Sequence, residues 1–469
     1  MKTERHADFL ILGGGPTGLG AARRLMAEGK DFHILEAEPR FGGLSASFAD
    51  EQGFTWDLGG HVLFSHYDRF DRAMDAALGK DGWFTHERES WVWICNHWVP
   101  YPFQNNLHRL PPAERWQCVR GLLEATQKAK TGGAAPAHFR EWIQRTFGTG
   151  IADLFMIPYN FKVWAFPPEQ LDYHWIGERV SVPGLEAVLR AVCTGQDEVS
   201  WGPNATFRFP KHGGTGAIWA ALGGSLPADS VSLSTRVTGI DPAARLVRTG
   251  NGATWHYQHL ISTIPLNHLI RLCPGVVPEA EADRLSFSAT NLIGIGLDGQ
   301  APADLQTKCW MYFPESNSPY YRVTVFSNYS ANNVPRPGEQ WSLMAEISES
   351  AGKPEDLSKI RESTVRALGE DGLIPDPDAI CSLVHTRLPQ GYPTPFLGRD
   401  RIVDPILRRF EHAGIFSRGR FGAWKYEVGN QDHCFAQGDE CANRLLQGGD
   451  DSFEPTVFTP HAVNARKNP

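Results

Sequence analysis

The stretch DFLILGGGPTGLGAARRLMAEGKDFHILEAE, residues 8–38, constrains the fold more than any other part of the chain. A short apolar strand over residues 8–12 runs into Gly13-x-Gly15-x-x-Gly18 and then into a helix with apolar positions at Leu19, Ala22 and Leu25. A turn at Gly29 leads to a second strand, residues 32–35, which ends on Glu36. Each part has a physical job. Gly13 permits the tight turn, Gly15 lets a pyrophosphate approach the backbone, and Gly18 lets helix and strand pack closely. The amino end of the helix offers N–H groups and a positive dipole to phosphates. Glu36 lies 18 residues beyond Gly18, placed to accept hydrogen bonds from a ribose. An acid at that point suits an unphosphorylated adenosine ribose, as in FAD or NAD.

The segments that follow favour FAD. EPRFGGLSAS adds Arg40 and a second glycine pair, Gly42–Gly43, just after the acid. Residues 236–265 read as strand, turn, strand, loop, strand, closing on small residues. GIFSRGRFGAWKYEVGNQDHCFAQGDECANRLLQGG reads as a strand, a glycine turn and a helix from about Gln431 to Gln447. The amino end of that helix is suited to lie beneath a flavin pyrimidine, where its dipole and N–H groups stabilise the negative charge of a reduced flavin. The residue-level alternative is a simple Asn/Asp cap before a helix.

A second glycine-rich stretch, FTWDLGGHVLFSHY over residues 54–67, sets His61 and His66 around a short apolar run. The two histidines are five residues apart with no HExxH or cysteine pair nearby, so they match no common metal pattern and no metal is expected. The glycines before His61 imply that something approaches the backbone closely. His66 admits two readings, a satisfied structural histidine or one that tunes the cofactor.

At 469 residues the chain has material for two or three domains. A net charge of −8 argues against nucleic acid or anionic membrane as a partner, so phosphate binding must come from local arginines. Eight cysteines without a CxxC read as reduced thiols. No signal-peptide core stands at the start, and no run reaches the roughly 18 apolar residues of a membrane span. A soluble cytoplasmic protein is expected. Fifteen tryptophans and 26 phenylalanines serve either a bulky core or aromatic-lined pockets for planar ligands.

The FAD segments resemble the flavin-containing amine oxidase superfamily. Beyond them, GGGPTGLGAA, DLGGHVLFSHY, WVPYPFQNN, GTGIADLFMIPYNFKVWA, GERV, WGPNATFRFPKHGGTG, CWMYFPE, YYRVTVFSNYS, GYPTP and SRGRFGAWKYEVGNQDH are similar to the eukaryotic-type UDP-galactopyranose mutases. The resemblance covers about nine tenths of the chain and leaves out the tail SFEPTVFTPHAVNARKNP. It implies FAD that is active when reduced, with N5 as nucleophile at the anomeric carbon of a UDP-sugar, pyranose–furanose interconversion and no net redox change. NADPH or NADH is the implied reductant.

The same resemblance implies site residues. Gly13, Gly15, Gly18, Glu36, Gly43, Gly60, His61, Val237, Arg420, Asn430 and Gln431 would hold the cofactor, with Gly59 and Gly60 leaving room for the isoalloxazine. Arg179 and Arg322 match the diphosphate arginines, and their guanidinium forks suit bidentate phosphate contacts. Tyr312, Tyr392 and Tyr426 would donate to phosphate oxygens while their rings exclude water. Tyr101 and Phe155 would stack on the uracil and Gln104 would bind its edge. Asn160, Trp164, Asn204 and Trp310 fall on pocket positions, although Trp164 fits packing equally well. His61, Arg179 and Arg322 are assigned to catalysis. No Ser/His/Asp set or paired-carboxylate motif points to hydrolysis, which a cofactor that carries the chemistry would explain.

The fold class that follows is α/β. A discontinuous Rossmann-like FAD-binding domain (1–84, 209–290, 414–450) carries an inserted helical domain (106–195) and an antiparallel β-sheet domain (85–105, 196–208, 291–413), with a tail over 451–469. Within the helical part, LPPAERWQCVRGLLEATQKAK presents an apolar stripe at Trp116, Val119 and Leu123. KHGGTGAIWAAL looks like a glycine loop opening a helix, but FRFP before it is not expected to be a buried strand and no acid falls about 20 residues on. A second dinucleotide fold is therefore not expected. Departures from the family, among them PQGYPTP, Cys434 in place of a serine and Ala217 in place of a glycine, leave UDP-arabinose or a deoxyhexose nucleotide open as the substrate. The other functional classes are a flavin amine oxidase and a nonenzymatic FAD-binding regulator.

Overall fold

Residues 4–130, 132–177, 180–199 and 205–464 are described by the computed structural model of the chain. Strand β1 (Glu4–Leu12) carries Leu10, Ile11 and Leu12 with no exposure, because parallel strands in a doubly covered sheet are buried on both faces. It pairs in parallel with β2 (Phe32–Leu35) on one side and with Thr254–Ser262 on the other. Val237–Asp241 and Leu246–Thr249 extend the sheet as an antiparallel ribbon, Val231–Ser232 borders β2, and Ile415–Ser417 joins Thr254–Ser262.

Between β1 and β2 runs helix α1 (Pro16–Ala27), which packs against the helix Gln431–Gln447. The small residues make that approach close. A side chain at Gly20 would collide with the Phe435 backbone, and one at Gly438 with the Thr17 backbone.

A second seven-stranded sheet runs in the order Ile380–Pro393, Phe287–Asp298, Gln340–Glu349, Arg322–Val325, Trp310–Tyr312, Ser90–Ile94, His97–Pro100. It is antiparallel except where Trp310–Tyr312 meets Ser90–Ile94 in parallel. Gly294 and Gly296 leave gaps on one face into which Trp56 and Phe54 pack, which brings the segment preceding His61 onto this sheet. The stretch 206–210 corrects one expectation. It is a strand, Thr206–Pro210, with Phe207 and Phe209 buried, but it pairs antiparallel with Trp83–Glu87 in a separate ribbon instead of feeding a βαβ unit.

Helices Pro112–Ala129, Phe139–Ile151, Ile157–Trp164 and Leu185–Thr194 form the helical layer, with a π-helical turn at Ala152–Met156. The first two cross closely because Gly121 meets Gly148–Gly150 backbone to backbone. The buried face of Pro112–Ala129 is Cys118, Val119, Leu122 and Ala125, whereas Trp116 is 61 % exposed. Of the expected stripe, Val119 is buried and Leu123 packs half-buried against the core, but Trp116 faces outward, and Cys118 and Leu122 take the interior beside the crossing at Gly121.

The tail is anchored as well. Arg418 and Glu454, both without exposure, form an ion pair that Glu411 and Arg444 extend. All eight cysteines are unpaired, and among the described residues no helix is long and apolar enough to cross a membrane.

Candidate active site

One large cavity, about 1000 Å³, runs from the glycine turn after β1 to the inner face of the second sheet. Its first end is built by local sequence. Gly13 has φ +107°, and a side chain there would collide with the Thr263 hydroxyl, while one at Gly18 would collide with the Gly13 carbonyl. Gly18 thus acts in packing and does not line the cavity, whereas Gly13, Gly15, Glu36 and Gly43 do. No side chain caps α1 and no acid occupies its first turn, so its leading N–H groups are left to an anion. Glu36 does more than await a ribose: its two oxygens accept the N–H groups of Gly14 (2.6 Å) and Glu38 (2.7 Å) and so shape the loop. Burial pushes its pKa up, and its remaining lone pairs face the cavity.

The middle of the cavity is lined by Val237, Gly60, His61, Arg420, Asn430 and Gln431. Asn430 precedes the helix Gln431–Gln447 without capping it through its side chain, and Gln431 accepts the indole N–H of Trp219 at 2.8 Å. Arg420 lies over the rings of Tyr392 and Tyr426 and donates to the carbonyls of Gly391 and Gly429. These features fit an FAD: a phosphate cradle free of side chains, a ribose acceptor, and an arginine beside a helix amino end where the isoalloxazine would gain charge.

Gly59 adopts φ +133°, a conformation that favours glycine. At Gly60 the close neighbour is a protein group: a Cβ would lie 2.9 Å from Glu346 Oε1 and 3.1 Å from Thr324 Oγ1. The Gly60 N–H donates to Glu346 Oε1 at 3.0 Å. His61 Nδ1 is buried with no partner among the described residues, and burial lowers the imidazole pKa to about 4, against the pull of Glu346. His61 is therefore neutral at pH 7.

Strand register assembles the far end. Tyr312 stands opposite Arg322, and Arg322 opposite Glu346, so one sheet face carries all three. Arg322 forks onto Glu346 through Nε and Nη2, both at 2.8 Å, and the Tyr321 hydroxyl donates to the same carboxylate at 2.7 Å. Burial alone would weaken the Arg322 charge; Glu346 more than restores it, and its pKa lies well above the ordinary guanidinium value. Trp310 lies on this face too, its indole N–H buried without a partner among the described residues.

Tyr312, Tyr392 and Tyr426 line the cavity, and the aromatic wall continues behind them. Tyr101 lies 5.3 Å from Tyr312, Phe155 stacks on Tyr159 at 5.3 Å, and Trp164 meets Tyr426 edge-on at 4.7 Å. Trp164 is fully buried in this wall and does not line the cavity. Gln104 spends its N–H on the Ser181 carbonyl, leaving Oε1 buried and unpartnered among the described residues. Asn160 donates to the Met156 carbonyl at 2.7 Å, tying down the π-helical turn that carries Phe155. Arg179 and Asn204 lie outside the described residues.

Two buried acids escaped sequence reasoning. Glu346 is a lone charge inside the apolar strand run WSLMAEIS, a signal the sequence did carry. Asp432 accepts the Nδ1–H of His66 at 2.7 Å and of His433 at 3.0 Å. The ligand atoms of this trio lie within 4.8 Å of one another. His66 is thus tied into the site by Asp432.

Residues 16–446 match the family described as flavin containing amine oxidoreductase. A crystal structure of reduced UDP-galactopyranose mutase superposes with a TM-score of 0.93 at 47% identity, covering 98% of this chain and 99% of the other. A putative protoporphyrinogen oxidase from Exiguobacterium sp. 255-15 shares the fold, with a TM-score of 0.72 at 16% identity over 96% of this chain and 100% of the other. The zeta-carotene desaturase of Zea mays is 36% identical over 64 residues, 14% of this chain, and the chain spans only 11% of that relative's length.

Proposed function

Since the chain belongs to the flavin-containing amine oxidoreductases and, within them, to the UDP-galactopyranose mutases, we propose that it is an isomerase interconverting UDP-galactopyranose and UDP-galactofuranose. The observation that carries this reading is the continuity of one cavity from the phosphate cradle at Gly13–Gly15 to the Arg322–Glu346 pair. A cofactor and a diphosphate-bearing substrate thereby meet at Gly60 and His61. When bound, reduced FAD supplies the nucleophile for the anomeric carbon. The protein supplies everything else.

UDP must leave the sugar and return to it, so it must be held while detached. Arg322 is permanently charged and offers a fork to the diphosphate, and Tyr312, Tyr392 and Tyr426 offer hydroxyls around it. Arg179 is assigned the second cation. The uracil is assigned to Tyr101, Phe155 and Gln104, which stand behind the tyrosines that line the cavity, Gln104 with its Oε1 unpartnered among the described residues. Aromatic walls keep water from intercepting the sugar. His61 is neutral, and its Nδ1, without a partner among the described residues, is left to the cofactor or the sugar. NADPH or NADH as reductant and a cytoplasmic location complete the proposal, the latter supported by eight unpaired thiols. An amine oxidase is disfavoured by a pocket whose fixed charges include Arg322 and Arg420.

The test is anaerobic incubation of the purified protein with UDP-galactofuranose and dithionite, with products resolved by chromatography. Formation of UDP-galactopyranose only with reduced flavin supports the reading. Absence of conversion with UDP binding retained moves the substrate to another sugar nucleotide; absence of both overturns the mutase reading.

A further inference from the structure

Asp432 occupies the first turn of the helix Gln431–Gln447, lines the cavity and is buried. Its carboxylate takes the backbone N–H of His66 at 3.0 Å and the His66 Nδ1–H at 2.7 Å on one oxygen, and the His433 Nδ1–H at 3.0 Å on the other. An ionised carboxylate only accepts, so both imidazoles present N–H at Nδ1. Among the described residues no lysine or arginine meets this acid, so the two imidazoles and the His66 backbone N–H offset it. Burial opposes the charge, but the two histidines outweigh it and hold the carboxyl far below the usual range. The negative charge is therefore permanent. It stands at the same helix end whose N–H groups and dipole, with Arg420 nearby, favour an anion.

We propose that the His66–Asp432–His433 triad sets the reduction potential of the flavin, Asp432 as a counter-charge against the reduced form and His66 acting only through Asp432. This rests on the flavin reading of the cavity. Reduction adds negative charge to the cofactor. A nearby carboxylate resists that addition, and each N–H aimed at the carboxylate weakens the resistance. The triad also ties the far end of the segment 59–67 to the helix, while Glu346 ties Gly60 to the sheet. The stretch carrying His61 is held by two carboxylates from different elements.

The experiment is an anaerobic dye-equilibrium titration of flavin-loaded wild type, Asp432→Asn, His66→Ala and the double variant. The expected result is an upward shift for Asp432→Asn, a downward shift for His66→Ala, and a double variant that titrates with Asp432→Asn alone. A merely structural role would move both single variants the same way. His433→Leu keeps the carboxylate and should also shift downward, so it carries the test if Asp432→Asn does not retain flavin. An unmoved potential, or a His66→Ala shift that persists without the carboxylate, overturns the proposal. Wild type that purifies and reconstitutes without a flavin absorption band overturns the flavin reading itself and this proposal with it.

Discussion

Neutralising Glu346 should tighten UDP binding, which is the opposite of what damaging a substrate pocket normally does. Arg322 is bound to Glu346 by two charge-assisted hydrogen bonds of 2.8 Å, with side chains 20% and 2% exposed respectively. A diphosphate arriving at Arg322 meets a guanidinium committed on one edge to Glu346 and must share its positive charge with that carboxylate. In Glu346→Gln the charge is gone and one carbonyl oxygen remains, enough to keep the Gly60 N–H but only one bond to the guanidinium. A hydrogen bond to a charged group contributes about 1.5–3 kcal/mol and one of the two is lost, so the hold on Arg322 weakens by roughly that amount. If that difference passes to the ligand, the UDP dissociation constant falls about 10- to 150-fold. Calorimetric titration of the oxidised holoenzyme with UDP reads this directly, with flavin content and melting temperature as controls for folding. Unchanged or weaker binding by a folded, flavin-loaded Glu346→Gln would refute the competition argument and leave Glu346 as a support for the loop alone.

Replacing Arg322 by alanine should weaken UDP binding by about 3 kcal/mol, roughly 100-fold, and Arg322→Lys should recover only part of it because a point charge cannot fork; the same titration decides. Glu454→Ala leaves Arg418 buried against a lost partner and should destabilise the fold by about 3–5 kcal/mol, seen as an earlier thermal transition, with the rest of its network intact. Asp57 is fully buried between Ser47 and Thr215, and burial pushes its pKa from 3.8 up to about 7. The fold thus holds this proton more tightly than the unfolded chain. The stability it contributes is full below the unfolded value and is lost as pH rises through the folded one. Asp57→Asn should abolish that loss, so its melting temperature gains on wild type between about pH 4 and about pH 7; parallel curves would contradict this.

The cofactor end of the site was legible because its chemistry is local. Gly13, Gly15, Gly18 and Glu36 act within one strand–turn–helix–strand unit, so spacing alone states their geometry. The substrate end is different in kind. Glu346 faces Arg322 across neighbouring strands and Gly60 across 286 positions of chain, and no spacing rule spans such a gap. What the sequence did offer was an acid in an otherwise apolar alternating strand, a charge that needs a partner wherever it is buried. The same logic applies to Gly60. A glycine pair announces a close approach but not what approaches, and Glu346 Oε1 and Thr324 Oγ1 stand there together with the cavity.

Trp116 shows the limit from the other side. Its periodicity suited an inward stripe, but the close crossing at Gly121 and Gly148–Gly150 rotates the helix so that Cys118 and Leu122 take the interior. Helical period fixes the shape of a face, and the tightest backbone contact fixes its direction. His66 joins the two lessons. Alone it could be structural or functional, and its partner Asp432 lies in the segment whose helix amino end is read as suited to a flavin. An acid followed by a histidine in that first turn is poorly explained as a cap, since Asn430 holds the capping position and leaves its own side chain out of the cap. The pair is better understood as a charge placed at a dipole and then partly neutralised. That combination would let a site hold an anionic cofactor firmly while keeping its electrons available.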